Sequence, residues 1–538
     1  MTAPTSHTSP PAVRTPLTRT PQALGLFALS VAGFVVLAVA LRFPMSDVLV
    51  YRAEGSAVWN GTDLYGFAVT EWRLPATYPP FAALLFVPVA LVPLAVAKAA
   101  FVVGNVALLA ALVRLSLRAA SGSLAPERLT SGSLAPARLP LVLVVTAGAL
   151  WLEPVFQTVA FGQVNLIMAC LVLGDLSRPD GARGKGFVLG VAAGIKLTPA
   201  LFVVYLLLTG RFRAGLTAVG GFAASVAVGA LALPGASAEF WTRRVFETGR
   251  VGKAWIVDNQ SLQGLIARLA HDPTPGPLWL VPAGALAVAG MWLARRAYVR
   301  ESASRTSTSR TGDFWGVQVT ALVSLLVSPI SWSHHWVWCV PLLIGLAALA
   351  RHKTGHRAEH EAGREAEHRA GREAGHPVPL PVSPRVLRRV SAGAVVVFAA
   401  RTMWMIPKKG DLDLRLPWWQ QPFAAPYPLL ILALPAAAAA LSAVGRGTLP
   451  LTPRVPPARI GRDHPVGRPT DHPVDKHAAS PADQRGGHRE HECVEARGGR
   501  CAKHDAGHPA DRDPTAGARG AGTRHVPGDH LDGDDRRR

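Results

Sequence analysis

Stretches of apolar residues recur along most of this chain, and they limit its fold more than any other feature. An α-helix needs about 20 apolar residues to cross the roughly 30 Å hydrocarbon layer of a bilayer, and the first stretch carries no charged side chain. The pattern predicts an all-α integral membrane protein with about 12 transmembrane helices. The stretches are 23–41, 81–94, 95–117, 139–152, 164–176, 187–208, 216–233, 278–293, 315–330, 336–349, 390–405 and 427–444.

Composition and charge agree with this class. Hydrophobic residues make up 49% of the 538 residues and charged residues only 17%, whereas roughly a quarter of a soluble domain is charged. The mean hydropathy of +0.24 excludes an ordinary soluble domain, a coiled coil and a fully disordered chain. The formal net charge is +21, but Arg and Lys lie mainly in tails and loops, as in cytoplasmic segments of membrane proteins. We therefore expect the lipid bilayer as a partner and no nucleic acid.

Three regions follow from the same pattern. Residues 1–22 are rich in Thr, Ser and Pro and predict a disordered cytoplasmic arm. Residues 23–445 form the membrane domain, with a long first outer loop at 44–77 and a polar cytoplasmic insert at 351–385. Residues 446–538 are rich in Arg, His, Asp, Gly and Pro, so they cannot bury a core and predict a disordered, basic cytoplasmic tail.

Basic loops set the expected orientation. Segments 211–213, 295–310 and 351–389 are rich in Arg, so the positive-inside rule places them in the cytoplasm. The segments between them then face the outside of a multi-pass cell-membrane protein. One loop disagrees: residues 118–138 are basic, yet counting from the first helix places them outside. Either one span is miscounted or a half-helix lies nearby.

Several apolar stretches are too short to cross a bilayer alone, and Gly or Pro interrupts others. Such breaks are typical of re-entrant or broken helices that line a cavity. The stretch 187–208 contains Lys196 and Pro199. A lysine inside an apolar stretch is costly unless it snorkels to the interface or meets an anion. A phosphate near the outer face and simple snorkelling explain Lys196 equally well.

The first outer loop contains a candidate general base. Asp47 lies at the membrane boundary, where partial desolvation raises the pKa of a carboxylate and a nearby cation lowers it. It is either a general base or a solvated loop carboxylate. If the segment is helical, Asp47, Tyr51 and Glu54 share one face. The motif Tyr78-Pro-Pro opens the next apolar stretch and by itself indicates only a helix start.

Other polar residues flank later apolar stretches and are site candidates for that reason. His334 and His335 stand at a helix start, where histidine can bind phosphate, move a proton or ligate a metal. No Walker A motif is present, and no Asp-x-Asp pair lies in a cytoplasmic loop. We therefore expect no required cofactor. The remaining candidates, either site residues or polar caps, are Gln163, Asn165, Asn259 and Gln260.

Six short motifs occur in order between about residues 41 and 444. Each is weak alone, but their order resembles the GT-C superfamily and, within it, glycosyltransferase family 87, the actinobacterial polyprenol-phosphate-mannose-dependent α-(1→2)-mannosyltransferases. The motifs are D-x-x-x-Y with G-x-x-L-Y at 47–65, YPP at 78–80, GQ-x-N at 162–165, KLTP at 196–199, NQS at 259–261 and S-x-x-S-W-x-HH at 328–335.

The resemblance implies a GT-C bundle whose long first extracytoplasmic loop carries the catalytic carboxylate. It implies transfer of mannose from a polyprenyl-phosphate donor to a glycolipid or lipoglycan acceptor, with inversion, at the extracytoplasmic face. A divalent metal is optional because the leaving group is a monophosphate. Asp47 matches the family's catalytic aspartate. The residues expected near the donor phosphate or the acceptor are Tyr51, Gln163, Asn165, Lys196, Asn259, Gln260, His334 and His335.

Two alternatives stay open at this point. A GT-C transferase that uses another polyprenyl-phosphate sugar, such as arabinose, shares the mechanism and differs only in pocket detail. A secondary transporter also has broken helices and a charge such as Lys196. A transporter, however, predicts internal repeat symmetry, which this sequence does not show, and polar residues at mid-depth rather than at one face.

Overall fold

The computed structural model describes residues 20–124, 139–303, 313–351 and 384–434. These residues form an α-helical protein, as the sequence predicts, and their only β pairing consists of two isolated bridges, Val69 with Leu74 and Asn259 with Trp332. The basic tail lies wholly outside the described residues. Most of the N-terminal arm, of the basic loop and of the polar insert lies outside them as well.

Helices follow one another with short connections throughout the described part. The last helix, α18, covers 426–434, and the first turn of α15, Ser333–Trp338, is 3-10. The others, in chain order, are α1 Thr20–Ala40, α2 Ser46–Asn60, α3 Pro80–Leu91, α4 Leu94–Leu124, α5 Leu139–Ala149, α6 Glu153–Phe161, α7 Asn165–Leu176, α8 Phe187–Ile195, α9 Ala200–Leu208, α10 Phe212–Ala232, α11 Pro234–Thr242, α12 Leu262–Ala270, α13 Pro277–Ala303, α14 Phe314–Val327, α15 Ser333–Arg351, α16 Pro384–Ala399 and α17 Gln421–Ala424.

Five of the described helices, α1, α4, α10, α13 and α15, are long and apolar enough to cross a membrane. The pair α5 and α6 bends by 79° and counts as a sixth span or a re-entrant segment, and α3, α7 and α14 are shorter apolar helices. The multi-span membrane class is therefore supported. The total of about 12 spans stays a prediction, because several apolar helices are too short to span a bilayer alone.

The expected interruption of the stretch 187–208 is confirmed. Helix α8 ends at Ile195, Lys196 has extended backbone angles (φ −147°, ψ 126°), and α9 begins at Ala200. Pro199 stands just before α9, where its missing N–H costs no helical hydrogen bond. The break places a lysine between two helices instead of inside one.

Glycines allow close helix packing around this break. At Gly190 of α8 a Cβ atom would lie 2.0 Å from the carbonyl oxygen of Ala218 on α10. At Gly55 of α2 it would lie 2.3 Å from the carbonyl oxygen of Phe86 on α3. Only a residue without a side chain permits such approaches. The pairs α8 with α10 and α2 with α3 therefore pack backbone to backbone.

The junction between α6 and α7 brings distant polar residues to α2. Helix α6 ends at Gly162, whose φ of +73° lies in the left-handed region that favours glycine. A Cβ atom there would lie 2.2 Å from Cγ2 of Val48 on α2. The close contact explains how Gln163 and Asn165 reach the neighbourhood of Asp47.

Two apolar clusters enclose the same region. The larger one joins helices including α1, α4, α6, α7, α14 and α15 through side chains such as Phe34, Leu112, Phe156 and Leu325. The smaller one borders the polar residues described below, and consists of Tyr51, Tyr78, Ala82, Phe86, Met168, Ala192 and Ile195. Apolar packing on both sides fixes the polar side chains in a low-dielectric setting.

Candidate active site

Asp47 lies in the first turn of α2. The free N–H groups at this end of a helix favour negative charge. Farther along the same face Tyr51 and Glu54 are fully buried, whereas Asp47 stays partly exposed. The helical face expected from the sequence is confirmed, and Asp47 is its accessible member.

Two tyrosine hydroxyls and an amide form a buried hydrogen-bonded triangle beside Asp47. The Tyr51 hydroxyl lies 3.1 Å from the Tyr78 hydroxyl and donates to Oε1 of Gln163 at 3.2 Å. The Tyr78 hydroxyl donates to the same oxygen at 3.4 Å. Because these contacts occupy its oxygen, the amide N–H of Gln163 remains to act on the Asp47 carboxylate, whose pKa it lowers.

Lys196 supplies positive charge next to this triangle. Its Nζ donates to Oδ1 of Asn165 at 3.0 Å and lies 3.3 Å from Nε2 of His335. The same nitrogen is 5.6 Å from the centroid of the Tyr78 ring, within range of a cation–π interaction. No described carboxylate forms a salt bridge with Lys196, although the charge of Asp47 acts on it. The ammonium group is therefore available to an anionic ligand.

The break between α8 and α9 borders a pocket that is partly open to the surroundings. We call it the Lys196 pocket. Its polar wall includes Asn165, Lys196, Thr198 and His335. A wall that joins a cation to apolar surface suits a lipid with an anionic head group, because charge and chain are both satisfied. The apolar wall consists of Met168, Val172, Phe202, Leu325, Val337 and Trp338.

Burial raises the pKa of the Asp47 carboxyl from 3.8 to about 6, while the hydrogen bond from Gln163 and the charge of Lys196 lower it. A carboxylate with this pKa is a stronger base than an exposed one and is still mostly ionised at neutral pH. The environment of Asp47 therefore fits a general base better than a solvated loop carboxylate.

We expect catalytic activity to fall as the pH drops through about 6. Below that value Asp47 is protonated and cannot accept a proton, so the rate should decline by about tenfold per pH unit. The measurement is the turnover number between about pH 5 and pH 8. A rate that stays constant to the acid end of this range would show that no group with this pKa acts as the base.

The two adjacent histidines face different surroundings. His335 lines the Lys196 pocket. The carbonyl oxygen of His334 accepts hydrogen bonds from Thr158 at 2.8 Å and from Asn165 at 2.9 Å, and its ring packs edge-on against Phe161. Of the two side chains, His335 is the one placed to meet a ligand beside Lys196.

Asn259 supports the turn that carries the histidines, and Gln260 bonds to the end of α17. The Asn259 amide donates to the carbonyl oxygen of Pro329 at 3.0 Å and accepts from the N–H of Ser331 at 2.8 Å. The Gln260 amide donates to the carbonyl oxygen of Ala424 at 2.8 Å. Both side chains are fully buried. Their polar groups are thus engaged with backbone, and the structure does not bring them into the Asp47 and Lys196 cluster.

Two residues of the site were missed from the sequence. Tyr78 was recognised as part of a helix start and of the YPP motif but not as a site residue, yet its hydroxyl completes the triangle at Gln163. Glu153 is fully buried and accepts hydrogen bonds from Ser333 and Trp404, each at 2.7 Å, and from the Tyr427 hydroxyl. It thereby fixes the first turn of α15. An acid retained beside an apolar stretch was the available signal for Glu153.

Metal binding has no cluster of ligands to support it in the described part of the chain. There, no three His, Cys, Asp or Glu side chains lie close enough together to hold an ion. The sequence-based expectation that a divalent metal is optional stays a prediction.

A candidate base whose charge acts on Lys196, together with a pocket that joins this cation to apolar surface, suits group transfer between membrane lipids, which places the chain among integral membrane transferases. Comparison with known proteins identifies the kind. The profile of glycosyltransferase family 87 matches residues 76–329. This range includes Lys196, while Asp47 and the histidines lie just outside it. No solved structure matches the chain.

Curated relatives extend the similarity. The chain is 35% identical over 315 residues, 57% of its length and 71% of the relative's, to a polyprenol-phosphate-mannose-dependent α-(1-2)-phosphatidylinositol mannoside mannosyltransferase of Mycobacterium tuberculosis. It is 34% identical over 311 residues, 56% and 70% of the two lengths, to the protein of the same name in Mycolicibacterium smegmatis. A phosphatidylinositol pentamannoside mannosyltransferase of Mycobacterium tuberculosis is 35% identical over 317 residues, 58% and 68% of the two lengths.

The chain therefore belongs to glycosyltransferase family 87 and is a glycosyltransferase. The resemblance drawn from the six motifs is confirmed. The secondary-transporter alternative is not retained.

Proposed function

We propose that this glycosyltransferase moves mannose from polyprenyl-phosphate mannose to a glycolipid or lipoglycan acceptor and forms an α-(1→2) linkage. The observation that carries the proposal is the Lys196 pocket, where a cation and His335 stand beside an apolar wall. The named activities of the relatives support the donor and the linkage, and they make a phosphatidylinositol mannoside the first acceptor to try.

In the proposed reaction Asp47 accepts the proton of an acceptor hydroxyl as that oxygen attacks the anomeric carbon of mannose. The bond between this carbon and the phosphate oxygen breaks, and polyprenyl phosphate leaves. A single displacement converts a β-linked donor into an α-linked product without a covalent enzyme intermediate. General-base catalysis of this kind contributes roughly 10²–10⁴-fold to a rate.

The leaving phosphate gathers negative charge during this step, and fixed donors that meet such charge lower the barrier. We assign this task to Lys196 and His335, whose nitrogen atoms lie 3.3 Å apart. Asn165 holds the lysine through a 3.0 Å hydrogen bond. Tyr51 and Gln163 orient the Asp47 side. A divalent metal is optional in this scheme because the leaving group is a monophosphate.

The proposed topology is a GT-C bundle of about 12 spans in the cell membrane, with the site at the extracytoplasmic face. The basic loop that begins at Arg211 is assigned to the cytoplasm. Arg211 pairs with Asp313 at 2.6 Å just after the end of α9, whereas Lys196 lies before the start of that helix. The site and the basic loop therefore stand at opposite ends of α9, which supports the assignment.

The proposal is tested by offering the purified protein, in lipid nanodiscs, either polyprenyl-phosphate mannose or polyprenyl-phosphate arabinose. We expect transfer from the mannose donor to a phosphatidylinositol mannoside and little from the arabinose donor. Preference for arabinose would establish the alternative transferase and overturn the choice of sugar. Lack of transfer from either would overturn the donor class.

The basic tail is expected to be unnecessary for catalysis. Its composition cannot form a core, and its basic residues add only weak attraction to anionic lipids, on the order of 1 kcal/mol for each residue near the surface. Deletion of everything after Gly445 should leave transfer within a few-fold of the full chain. A truncated protein that inserts normally but does not transfer would contradict this. A tail open to protease outside intact cells would overturn the proposed topology instead.

A further inference from the structure

Glu54 is a carboxyl group enclosed in the wall of the site, one helical turn beyond Tyr51. It is fully buried, and neither of its oxygens has a hydrogen-bond partner among the described residues. The nearest donors are the backbone N–H groups of Thr77 and Tyr78, which act on it in a geometry short of a full hydrogen bond. An unsatisfied buried carboxyl is costly, so its presence beside a catalytic cluster calls for a reason.

We propose that Glu54 is a positioning residue that works in its uncharged form and holds the backbone before α3 so that Tyr78 faces Gln163 and Lys196. The proposal rests on the proposed function for its activity readout only. Glu54 does not touch the substrate in this account.

The backbone that Glu54 faces has few other ways to be held. Pro79 and Pro80 follow Tyr78 directly and have no N–H, so Thr77 and Tyr78 offer the last donors before α3. The Tyr65 hydroxyl donates to the carbonyl oxygen of Tyr78 at 3.0 Å. Glu54 faces the N–H groups of this peptide segment, and Tyr65 bonds to its carbonyl oxygen. The two side chains therefore hold the segment from both sides.

Tyr78 links both halves of the reaction site. Its hydroxyl lies 3.4 Å from Oε1 of Gln163, the residue that lowers the pKa of Asp47. Its ring lies 5.6 Å from Nζ of Lys196. A shift of the Tyr78 backbone would therefore disturb the base and the phosphate-binding cation together.

The surroundings keep Glu54 neutral near pH 7. Burial raises the pKa of its carboxyl from 4.5 to about 8, the charge of Asp47 raises it further, and the Thr77 and Tyr78 amides lower it. The other titratable groups that act across this region are the hydroxyls of Tyr51, Tyr65 and Tyr78.

No titratable side chain lies on α3, which packs against this face. The cation Arg250 donates to the carbonyl oxygen of Tyr65 at 3.0 Å rather than to Glu54. As the pH rises through about 8, Glu54 gains a charge that repels Asp47, without a cation to pair with it. Transfer activity should therefore decline on the alkaline side.

The test compares pH profiles of three variants in nanodiscs. Lys196→Arg serves as the background, because Lys196 could itself lose its proton at alkaline pH and an arginine cannot, and this variant should keep the alkaline decline. In that background Glu54→Gln, which keeps the shape and stays uncharged, should retain most of the transfer at pH 7 and lose the alkaline decline. Glu54→Leu removes the polar group that faces the backbone amides of Thr77 and Tyr78 and should lower transfer by about tenfold or more at every pH. A decline that persists in Glu54→Gln, or full activity in Glu54→Leu, would overturn the proposal.

Infrared spectroscopy gives a readout that does not depend on transfer. A protonated carboxyl band should be present in the wild-type protein at pH 7, absent in Glu54→Gln and lost from the wild type as the pH passes about 8. If this band behaves as expected while no mannose is transferred, the proposed function fails and the neutral state of Glu54 stands. If the band is absent at pH 7, the inference fails whatever the enzyme transfers.

Discussion

Replacement of Asp47 by Asn is expected to lower mannosyl transfer by roughly 10²–10⁴-fold, because the amide cannot accept the proton of the acceptor hydroxyl. The change nearly preserves shape and removes a partly buried charge, so folding and membrane insertion should persist. Donor binding should change little, since Lys196 and His335 hold the phosphate in this account. The measurement is the turnover number with intact lipid donor at saturating concentration, together with donor affinity.

Glu71→Gln is a matched control for this variant. Glu71 is an exposed carboxylate in the segment between α2 and α3, so its replacement removes the same charge without touching the site. It should leave transfer within about two-fold of the wild type. If Asp47→Asn retained most of its activity, Asp47 would not be the general base. If Glu71→Gln lost as much activity as Asp47→Asn, the loss would come from the change in charge and not from the missing base.

Replacement of Lys196 by Met is expected to weaken donor binding by about ten-fold to a hundred-fold. The loss corresponds to about 1.5–3 kcal/mol for a charge-assisted hydrogen bond to phosphate. Met keeps an apolar stem of similar length, and removal of a charge from an apolar setting should preserve or improve stability. The measurement is equilibrium binding of polyprenyl-phosphate mannose to the protein in nanodiscs.

Lys98→Met provides the comparison. Lys98 lies in α4, one of the apolar helices long enough to span a membrane, and it is only partly exposed. It does not line the Lys196 pocket, so its replacement should leave donor affinity unchanged. Unchanged affinity in Lys196→Met would mean that this lysine merely snorkels to the interface.

The sequence predicted those parts of the site that depend on local periodicity. The spacing of Asp47, Tyr51 and Glu54 places them on one face of any α-helix, and α2 is such a helix. A lysine followed by a proline three residues later predicted a break, and the break lies between α8 and α9. Each of these inferences needs only neighbouring residues.

Contacts between distant segments were beyond the same reasoning. Tyr78 meets Gln163 across 85 positions, and this requires the close approach at Gly162 that no local pattern announces. Asn259 belonged to a family-like motif, yet its amide is bonded to Pro329 and Ser331. A motif identifies residues that matter and does not tell a support from a ligand contact.

The number of spans is also weakly determined by hydropathy. Apolar helices such as α3, α7 and α14 are shorter than the bilayer is thick. From the sequence alone such a helix cannot be distinguished from a complete span whose ends are polar or from a half-helix. The disagreement over the basic loop 118–138 has the same origin, and α4 already extends into that loop as far as Leu124.

The linkage and configuration of the transferred sugar can be measured with the purified protein. Purified wild-type protein in nanodiscs is given β-linked polyprenyl-phosphate mannose labelled in the sugar, with a phosphatidylinositol mannoside as acceptor, and the labelled product is analysed for linkage and anomeric configuration. The account predicts label in an α-(1→2)-linked mannose on the acceptor. Label that stays on the donor, or a product with the β configuration, would contradict it.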